Sequence, residues 1–452
     1  MSFMKAQALT ALSIAILCIP SFAQTERERS LEEKIKRLEG RISSLEKTQT
    51  VEDREHAVET AINNLVAGGD ADDMDFGAYW GNTLKLDTAN KAIRLAIGGR
   101  IMNDWTFATQ DNDVEANIGH LGDGTEFRRA RLYIKGQLYD NVIFKGQYDF
   151  AGGDVDWKDV YIGLKDVPIV QNIRIGHFKE PFGLEQLTSS RFLTFAERAS
   201  ADAFIPSRNT GLMLHGTAAD NRVTWAAGVF RDTGAYGNSD TPEDGQYNFT
   251  ARLTGLPWYQ DDSNLLHVGA AISFRNPNGD AIEYDQRPGS HFVPNFVDTG
   301  TMTADSSFIL GLEAALVLDA FSVQSELVWS SVDSDLSDDP DFLSYYIQAS
   351  YFITGEYRPY SKSKAVFGRI NPHANYGSEA GSGAWEVALR YSHLDLTEDL
   401  ISGGELQTVT AGVNWYLNPN TKFAFNYIWA DVEDTWGDGN AHLFVIRFQV
   451  DF

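Results

Sequence analysis

The sequence has almost no cysteine: Cys18 is the only one among 452 residues. It lies in residues 1–23, which have the layout of a secretory signal peptide. Lys5 provides the positive start, an apolar run follows, and Ser21-Phe22-Ala23 offers a small-x-small cleavage site. The mature chain is therefore expected to contain no cysteine, which excludes disulfides and thiolate metal sites.

Long apolar runs are also missing, and none approaches the 18 or so residues that a transmembrane helix requires. An exported chain without such a helix can be periplasmic, extracellular or an outer-membrane β-barrel. Basic residues are outnumbered, with 37 Lys and Arg against 63 Asp and Glu and a net charge of −26. This balance argues against nucleic acid as a partner.

Signatures of catalysis are absent too. The sequence contains no GxSxG element, and His215, His267, His291 and His373 are scattered along it. Nothing resembles a nucleotide-binding loop, a metal cluster or a plug domain. We therefore predict neither an enzyme nor a cofactor, although a hydrolase and a surface adhesin remain alternatives to a channel.

What the sequence does have is alternation with a period of two, most clearly in residues 126–153. Arg129, Arg131, Tyr133 and Lys135 share one face of a strand, and the residues between them are apolar. Tyr139-Asp140-Asn141 breaks the run as a tight turn would, and the alternation resumes after it. This hairpin fits a soluble sandwich or a membrane barrel, in which the apolar face meets lipid.

Two further features favour the membrane barrel. The last residues, 442–452, alternate and end on Phe452, like the final strand of outer-membrane barrels. Similar strands occur throughout, so the fold is predicted to be all-β, a transmembrane antiparallel barrel of about 16 strands over residues 79–452. The strands are expected at 94–107, 129–138, 144–150, 157–165, 170–179, 210–218, 221–232, 245–255, 264–275, 306–318, 320–332, 341–354, 383–396, 405–418, 421–433 and 442–452.

Residues 24–66 differ from the rest because their apolar residues follow a heptad spacing. Leu31, Ile35, Leu38, Ile42 and Leu45 step by four and three, which predicts a short α-helical coiled coil in the periplasm that helps to form a homotrimer. The alternative is a solvated tail. Residues 67–78 are expected to be a linker.

The connections between the predicted strands alternate between short and long. Long ones, at 108–126, 180–209, 232–244 and 276–305, fall on one side of the barrel, and the short turns fall on the other. Residues 355–382 are long yet lie on the short-turn side. Either the strand count slips by one or this turn folds into the barrel mouth.

Several motifs resemble the phosphate-selective porin O/P family of outer-membrane porins. They include Gly98-Gly99-Arg100-Ile101, the run 126–131, the run 176–185, and Gly412-Val413-Asn414-Trp415-Tyr416. The resemblance covers nearly the whole mature chain. It implies trimeric sixteen-stranded barrels in the bacterial outer membrane, among lipid and lipopolysaccharide, that pass anions such as phosphate.

The predicted site residues are arginines and lysines that line the pore, because guanidinium groups bind oxyanions without losing charge. Loop 180–209 is long enough to fold into the lumen, and the resemblance places Arg198 at the narrow part of the pore. An equally weighted alternative is that these residues pair with Glu126, Asp149, Asp159, Glu185 and Glu197 and only keep the wall rigid. The predicted set is Arg100, Arg129, Arg131, Lys135, Lys145, Arg174, Arg191, Arg198 and Arg208.

The chain departs from phosphate-specific members in loop 276–305. Those members carry a ladder of arginines there, whereas this loop has only Arg287 among five acids. Gln186 also takes the place of a loop lysine. The predicted function is passive diffusion of small anions, phosphate or related oxyanions, and the alternatives are a general or weakly cation-selective porin.

Overall fold

The computed structural model describes residues 75–238, 246–334, 339–378, 381–398 and 400–452. The predicted signal peptide and coiled coil, and all but the last residues of the predicted linker, lie outside these ranges. Among the described residues, no helix is both long enough and apolar enough to cross a bilayer.

The described residues are mostly β-strands. Helices are short: α1 spans Asn112–Asn117, α2 spans Leu184–Leu187, and one-turn 3-10 helices cover Ser200–Ala203 and Asn278–Asp280. The strands are β1 (Phe76–Trp80), β2 (Leu84–Thr88), β3 (Ile93–Gln110), β4 (Gly124–Leu138), β5 (Val142–Asp149), β6 (Asp156–Val167), β7 (Gln171–Lys179), β8 (Arg208–Ala218), β9 (Val223–Arg231), β10 (Asn248–Asp261), β11 (Asn264–Arg275), β12 (Ala281–Ile282), β13 (Asp285–Gln286), β14 (Val297–Asp298), β15 (Met302–Thr303), β16 (Ser306–Leu318), β17 (Phe321–Asp333), β18 (Asp341–Phe352), β19 (Tyr360–Ser361), β20 (Val366–Phe367), β21 (Ala384–Glu398), β22 (Ile401–Asn418), β23 (Thr421–Asp434) and β24 (Gly437–Asp451).

The long strands form a closed antiparallel barrel. Within the described ranges the barrel has sixteen strands, β3 to β11, β16 to β18 and β21 to β24. Each of them pairs with the next barrel strand, so that β11 pairs with β16 and β18 with β21. The last strand, β24, pairs with β3, so that Asp451 lies opposite Arg100 and Ala441 opposite Gln110. Closure leaves the long strands no free edge, as a membrane barrel requires. The predicted all-β fold and the predicted strand number are confirmed.

The distribution of side chains decides between a soluble sandwich and a membrane barrel. Leu253 and Ile162 on the outer face are 59% and 63% exposed, whereas Arg447 and Glu326 on the inner face are each 2% exposed. The predicted hairpin follows this rule, with Leu132 outside and Arg131 inside. Large apolar residues outside and charged residues inside are the reverse of a soluble fold. The soluble-sandwich alternative is therefore wrong.

Several strands are longer than predicted at the rim that carries the long loops. Strand β3 continues to Gln110 and β4 starts at Gly124, so the loop between them is 111–123 rather than 108–126. Likewise β22 starts at Ile401 and β24 at Gly437. The sequence pattern depends on outward apolar residues, which stop at the edge of the apolar belt, whereas the backbone ladder continues past it.

A hairpin of β1 and β2 precedes the barrel and was not predicted. Strand β2 pairs with residues 94–97 of β3, the part of β3 that β24 does not reach. The hairpin begins at Phe76, inside the predicted linker 67–78. Close by, the backbone of Gly99 exchanges two hydrogen bonds with the backbone of Phe452. A side chain at Gly98 would overlap the Phe452 carbonyl oxygen, which explains the glycine there.

Three connections fold into the barrel and form a core of their own. Loops 180–207 and 276–305 enter from the long-loop rim, and turn 353–383 enters from the short-turn rim. Their apolar residues pack on inward residues of the wall; Phe204, for example, stacks on Phe342 and meets Tyr284 edge-on. Turn 355–382 thus folds into the barrel, which is the second of the two predicted alternatives, and the strand count does not slip.

Candidate permeation pathway

Loop 180–207 crosses the lumen, and the wall strand β17 holds its start. The backbone nitrogens of Leu184 and Glu185 each donate a 2.7 Å hydrogen bond to the Glu326 carboxylate. Tyr346 donates a third, of 2.6 Å, to the same carboxylate. Glu185, Glu326 and Tyr346 are buried, so these hydrogen bonds satisfy polar atoms that water does not reach.

The far half of the loop is fixed to β21 to β24. Asn426 accepts a 2.8 Å hydrogen bond from the Ala196 backbone nitrogen, and the Asn414 side chain donates a 2.7 Å bond to the Thr194 carbonyl. Lys422 donates to the carbonyl of Leu193 at 2.8 Å. The loop therefore covers the β16 to β24 half of the wall, which leaves space along β3 to β10.

A cluster of three arginines around Glu197 ties the loop to the seam of the barrel. Arg128 lies 2.9 Å from Glu197, Arg129 lies 3.5 Å from it, and Arg447 lies 2.6 Å from it. Arg447 also pairs with Asp104 at 2.5 Å. Burial alone would raise the pKa of Glu197, but these arginines hold it well below its ordinary value.

Arg128 was not among the predicted residues, and a β-bulge explains its position. The register between β3 and β4 shifts between Met102 and Asn103, which pair with Arg129 and Phe127. Arg128 is the extra residue, so it and Arg129 both reach Glu197. Strict alternation would have placed Arg128 on the outer face.

Most of the predicted cations have an acidic partner. Arg131 pairs with Asp149 at 2.6 Å, and Lys145 and Arg208 share Asp159 at 2.5 and 2.8 Å. Arg191 pairs with Asp451 at 3.2 Å. These pairs, with Arg129 and Glu197, correspond to the alternative in which the cations stiffen wall and loop.

Arg198 and Arg100 hold the loop mainly through uncharged acceptors. Arg198 donates to the carbonyls of Glu185 and Gln186 at 3.2 and 3.3 Å and lies 3.9 Å from Asp202. Arg100 donates a 2.6 Å bond to Ser190. Both guanidinium groups therefore connect the loop to its surroundings without a close carboxylate partner in the described part of the chain.

Lys135 and Arg174 form no ion pair with any residue that the structure describes. The Arg174 guanidinium lies 4.5 Å from the centre of the Tyr161 ring, and Lys135 Nζ lies 5.7 Å from the centre of the Tyr133 ring. Both line a cavity of about 1010 Å³ that opens at the short-turn rim, which we call the vestibule. Their charge is free to act on a solute there.

Turn 355–382 brings another cation into the vestibule. Tyr360 bonds to His267 at 2.7 Å, Arg358 donates to Gln324 at 2.7 Å, and Arg252 donates to the Ala365 carbonyl at 3.0 Å. These hydrogen bonds fix the turn, and the turn places Lys364 on the vestibule wall. Desolvation, then the charges of Lys135, Arg174 and Arg191, lower the pKa of Lys364.

The vestibule has a strongly basic lining. Of the described residues that line it, nine are Lys or Arg and one, Asp87, is acidic. Only Lys135 and Arg174 belong to the predicted set. Lys179 lies five residues from Arg174 in the predicted strand, so alternation would have placed it on the opposite face, and β1, β2 and turn 355–382 gave no periodic signal. The nine are Lys85, Lys91, Arg94, Lys135, Lys165, Arg174, Lys179, Arg252 and Lys364.

Loop 276–305 packs over loop 180–207 near the opposite rim. Tyr284 bonds to Ser330 at 2.8 Å, and Ser290 bonds to Thr106 at 2.9 Å, so the loop joins opposite parts of the wall. His291 lies 2.9 Å from Glu126. Asp280 and Asp298 are exposed. No group of three or more metal-ligating side chains occurs among the residues described in the structure.

Comparison with known proteins agrees with this architecture. Residues 72–452 match the family model for phosphate-selective porin O and P. The chain belongs to this family. Porin O of Pseudomonas aeruginosa is 26% identical over 415 residues, which cover 82% of this chain and 91% of Porin O.

Solved porin structures share the fold. An anion-selective porin from Comamonas acidovorans superposes with a TM-score of 0.50 at 13% identity, covering 80% of this porin and all of the other chain. The outer membrane channel DcaP of Acinetobacter baumannii gives a TM-score of 0.51 at 11% identity, with 80% and 98% covered. At these identities the likeness concerns the fold alone.

Family membership fixes the surroundings of this porin. It is a multi-pass β-barrel of the bacterial outer membrane, and its family points to a channel rather than an enzyme. In such barrels short turns face the periplasm and long loops face outward. The basic vestibule therefore opens to the periplasm, and loop 276–305 lies on the external side.

Proposed function

We propose that this porin allows passive diffusion of small anions, phosphate or related oxyanions, through a water-filled pore. The observation that carries the proposal is the lining of the vestibule, with nine cations and one acid. Positive charges in a low-dielectric wall raise the local concentration of anions and the rate at which anions enter the pore.

The unpaired cations contribute most to this field. Lys135, Arg174 and Lys364 have no ion-pair partner among the described residues, so no carboxylate offsets their charge. We assign them to anion attraction. Arg100 and Arg198 bond to loop 180–207 through uncharged acceptors, and we assign them to the part of the lumen that this loop narrows, where a passing oxyanion would exchange water for guanidinium donors.

The remaining predicted residues hold the loop and the barrel wall in place and do not bind the solute. Arg129, Arg131, Lys145, Arg191 and Arg208 are each engaged by a carboxylate. Their role in this proposal is to keep the loop and wall in place. A paired cation still contributes to the field, but its partner cancels most of the effect at a distance.

Strong selectivity for phosphate is not part of the proposal. Loop 276–305 carries Asp280, Glu283, Asp285, Asp298 and Asp305 with Arg287, instead of a run of arginines. An acidic outer mouth followed by a basic inner vestibule favours weak anion selectivity. A general or weakly cation-selective porin is the alternative that the outer mouth supports, and a surface adhesin barrel is a further one.

We also propose the assembly and its surroundings. Residues 24–66 form a periplasmic coiled coil that joins three copies, and the barrels contact lipid and lipopolysaccharide through their outward apolar belt. The exposed belt residues, such as Leu389 at 57% and Ile347 at 52%, supply the surface that lipid covers.

The test is the reversal potential of the purified porin in a planar bilayer under a salt gradient, first with chloride and then with phosphate. We expect an anion-selective potential and partial block of chloride current by phosphate. The variant Lys364→Gln should lower the anion-to-cation permeability ratio. Lys362→Gln is the matched control, since Lys362 lies 4.4 Å from the Tyr259 ring and does not line the vestibule. A cation-selective potential would contradict the proposal.

A further inference from the structure

The vestibule has an apolar side that a pore for hydrated inorganic ions does not need. Phe178, Met213 and Phe230 form a buried cluster inside the barrel, and Tyr161 and Ala226 pack against it. Tyr161, Met213 and Ala226 also line the vestibule. Lumen faces of outer-membrane barrels are normally polar, so an apolar patch on the wall of β6 to β9 calls for an explanation.

A cation with a free donor stands on this patch. The Arg174 guanidinium lies 4.5 Å from the Tyr161 ring centre and 5.2 Å from that of Phe178. Its Nε, and Nε2 of the neighbouring His215, are buried nitrogens without a hydrogen-bond partner among the described residues. Both residues line the vestibule. The two terminal nitrogens of Arg174 are not among the buried atoms and have no hydrogen-bond partner among the described residues, so they can donate to an acceptor on a solute.

The loop and the turn add apolar residues to the lining of the vestibule. Pro181 and Leu187 from loop 180–207, and Val366 from turn 355–382, belong to the same lining. The lining therefore combines apolar side chains from the wall, the loop and the turn with a guanidinium that has no ion-pair partner among the described residues. An inorganic ion gains nothing from such apolar side chains, whereas an apolar group that leaves water there does.

We propose that the patch formed by Tyr161, Arg174, Met213 and His215 is a binding site for small organic anions that carry an apolar planar body, such as aromatic carboxylates. The carboxylate accepts hydrogen bonds from the terminal nitrogens of Arg174, and the ring lies against Met213, His215 and the Tyr161 face. This inference rests on the proposed anion-conducting function and names a solute class for it.

The test is block of chloride current by benzoate, acetate and benzyl alcohol, added from the periplasmic side of porins in a planar bilayer. Benzoate has both charge and ring, acetate has only the charge, and benzyl alcohol has only the ring. We expect benzoate to block at about tenfold lower concentration than acetate, because part of its ring leaves water on binding. Benzyl alcohol should not block. Equal block by benzoate and acetate would overturn the proposal.

Three variants separate the contributions of charge and apolar surface. Arg174→Gln should raise the half-blocking concentrations of both benzoate and acetate, by about fivefold or more. Met213→Gln keeps the side-chain length but makes it polar, so it should weaken benzoate block and leave acetate block unchanged. Arg222→Gln is the matched control, because Arg222 lies over Tyr259 and outside the vestibule lining.

Failure of the proposed binding site can be told apart from failure of the proposed anion pore. If the reversal potential is anion-selective but Met213→Gln leaves benzoate block unchanged, the site is refuted and the anion pore stands. If the reversal potential is not anion-selective, the pore proposal fails first, and residual benzoate block that survives Arg174→Gln refutes the site as well.

Discussion

Replacing Glu326 with glutamine should loosen loop 180–207 without unfolding the barrel. Its carboxylate accepts hydrogen bonds from the backbone nitrogens of Leu184 and Glu185, both of 2.7 Å. A glutamine keeps one acceptor oxygen, so one of these bonds is lost. Leaving a buried backbone donor without a partner costs about 1–3 kcal/mol, which corresponds to a rise of roughly 5- to 150-fold in local opening.

Amide hydrogen exchange measures this opening directly, because exposed amides exchange from locally opened states. In Glu326→Gln, residues 184–199 should exchange faster by that factor, while strands β3 to β7 keep the wild-type rate. Single-channel recordings should show noisier chloride current, since the loop narrows the lumen. The matched control is Glu405→Gln, because Glu405 lies near His393 at the outer rim and does not contact this loop. Unchanged exchange in residues 184–199 would refute the anchoring role of Glu326.

Three other predictions concern the vestibule, the seam and the arginine cluster. Because the pKa of Lys364 is lowered, wild-type anion selectivity should begin to decline at a pH below the ordinary lysine value of 10.5, and Lys364→Arg should remove that part of the decline in reversal-potential measurements. Gly98→Ala should prevent closure of the seam against Phe452, seen as loss of the compact band on unheated gels, whereas Gly255→Ala, with no atom within 4 Å of the new methyl group, should fold normally. The pKa of Glu197 is depressed, so its stabilising effect is present above the ordinary value of 4.5 and is lost only as the pH falls further; chloride conductance should therefore not become noisier between pH 7 and pH 5.

The sequence was sufficient for the barrel because its signal is local. Alternation along each strand reports which face meets lipid, so the inward position of Arg131 and the outward position of Leu132 followed from parity alone. The bulge at Arg128 breaks this parity, and nothing in the residues 126–131 indicates where the extra residue falls. Strand ends beyond the apolar belt were missed because the outward apolar residues on which the pattern depends stop at the edge of that belt.

The candidate site was less predictable because it depends on contacts between distant residues. Whether Arg129 or Arg131 is free for a solute is decided by Glu197 and Asp149, which parity does not locate. Lys364 was missed because turn 355–382 has no periodic pattern, and its place on the vestibule wall depends on the bond between Tyr360 and His267. The sequence thus identifies candidate cations, and only the fold separates paired from unpaired ones.

The acidic net charge of −26 gives little guidance to the selectivity of the pore. Selectivity depends on the charges close to the path of the ion, since exposed charges farther away than about 10 Å are screened by salt. Exposed acids such as Asp113, Glu398 and Asp438 stand at the outer rim, whereas the vestibule has nine cations and one acid. The two regions act in series, so an anion must pass a weakly repelling mouth before it reaches an attracting vestibule. Because this charge profile is asymmetric along the pore, current carried by anions should differ in size when the voltage is reversed under symmetric salt.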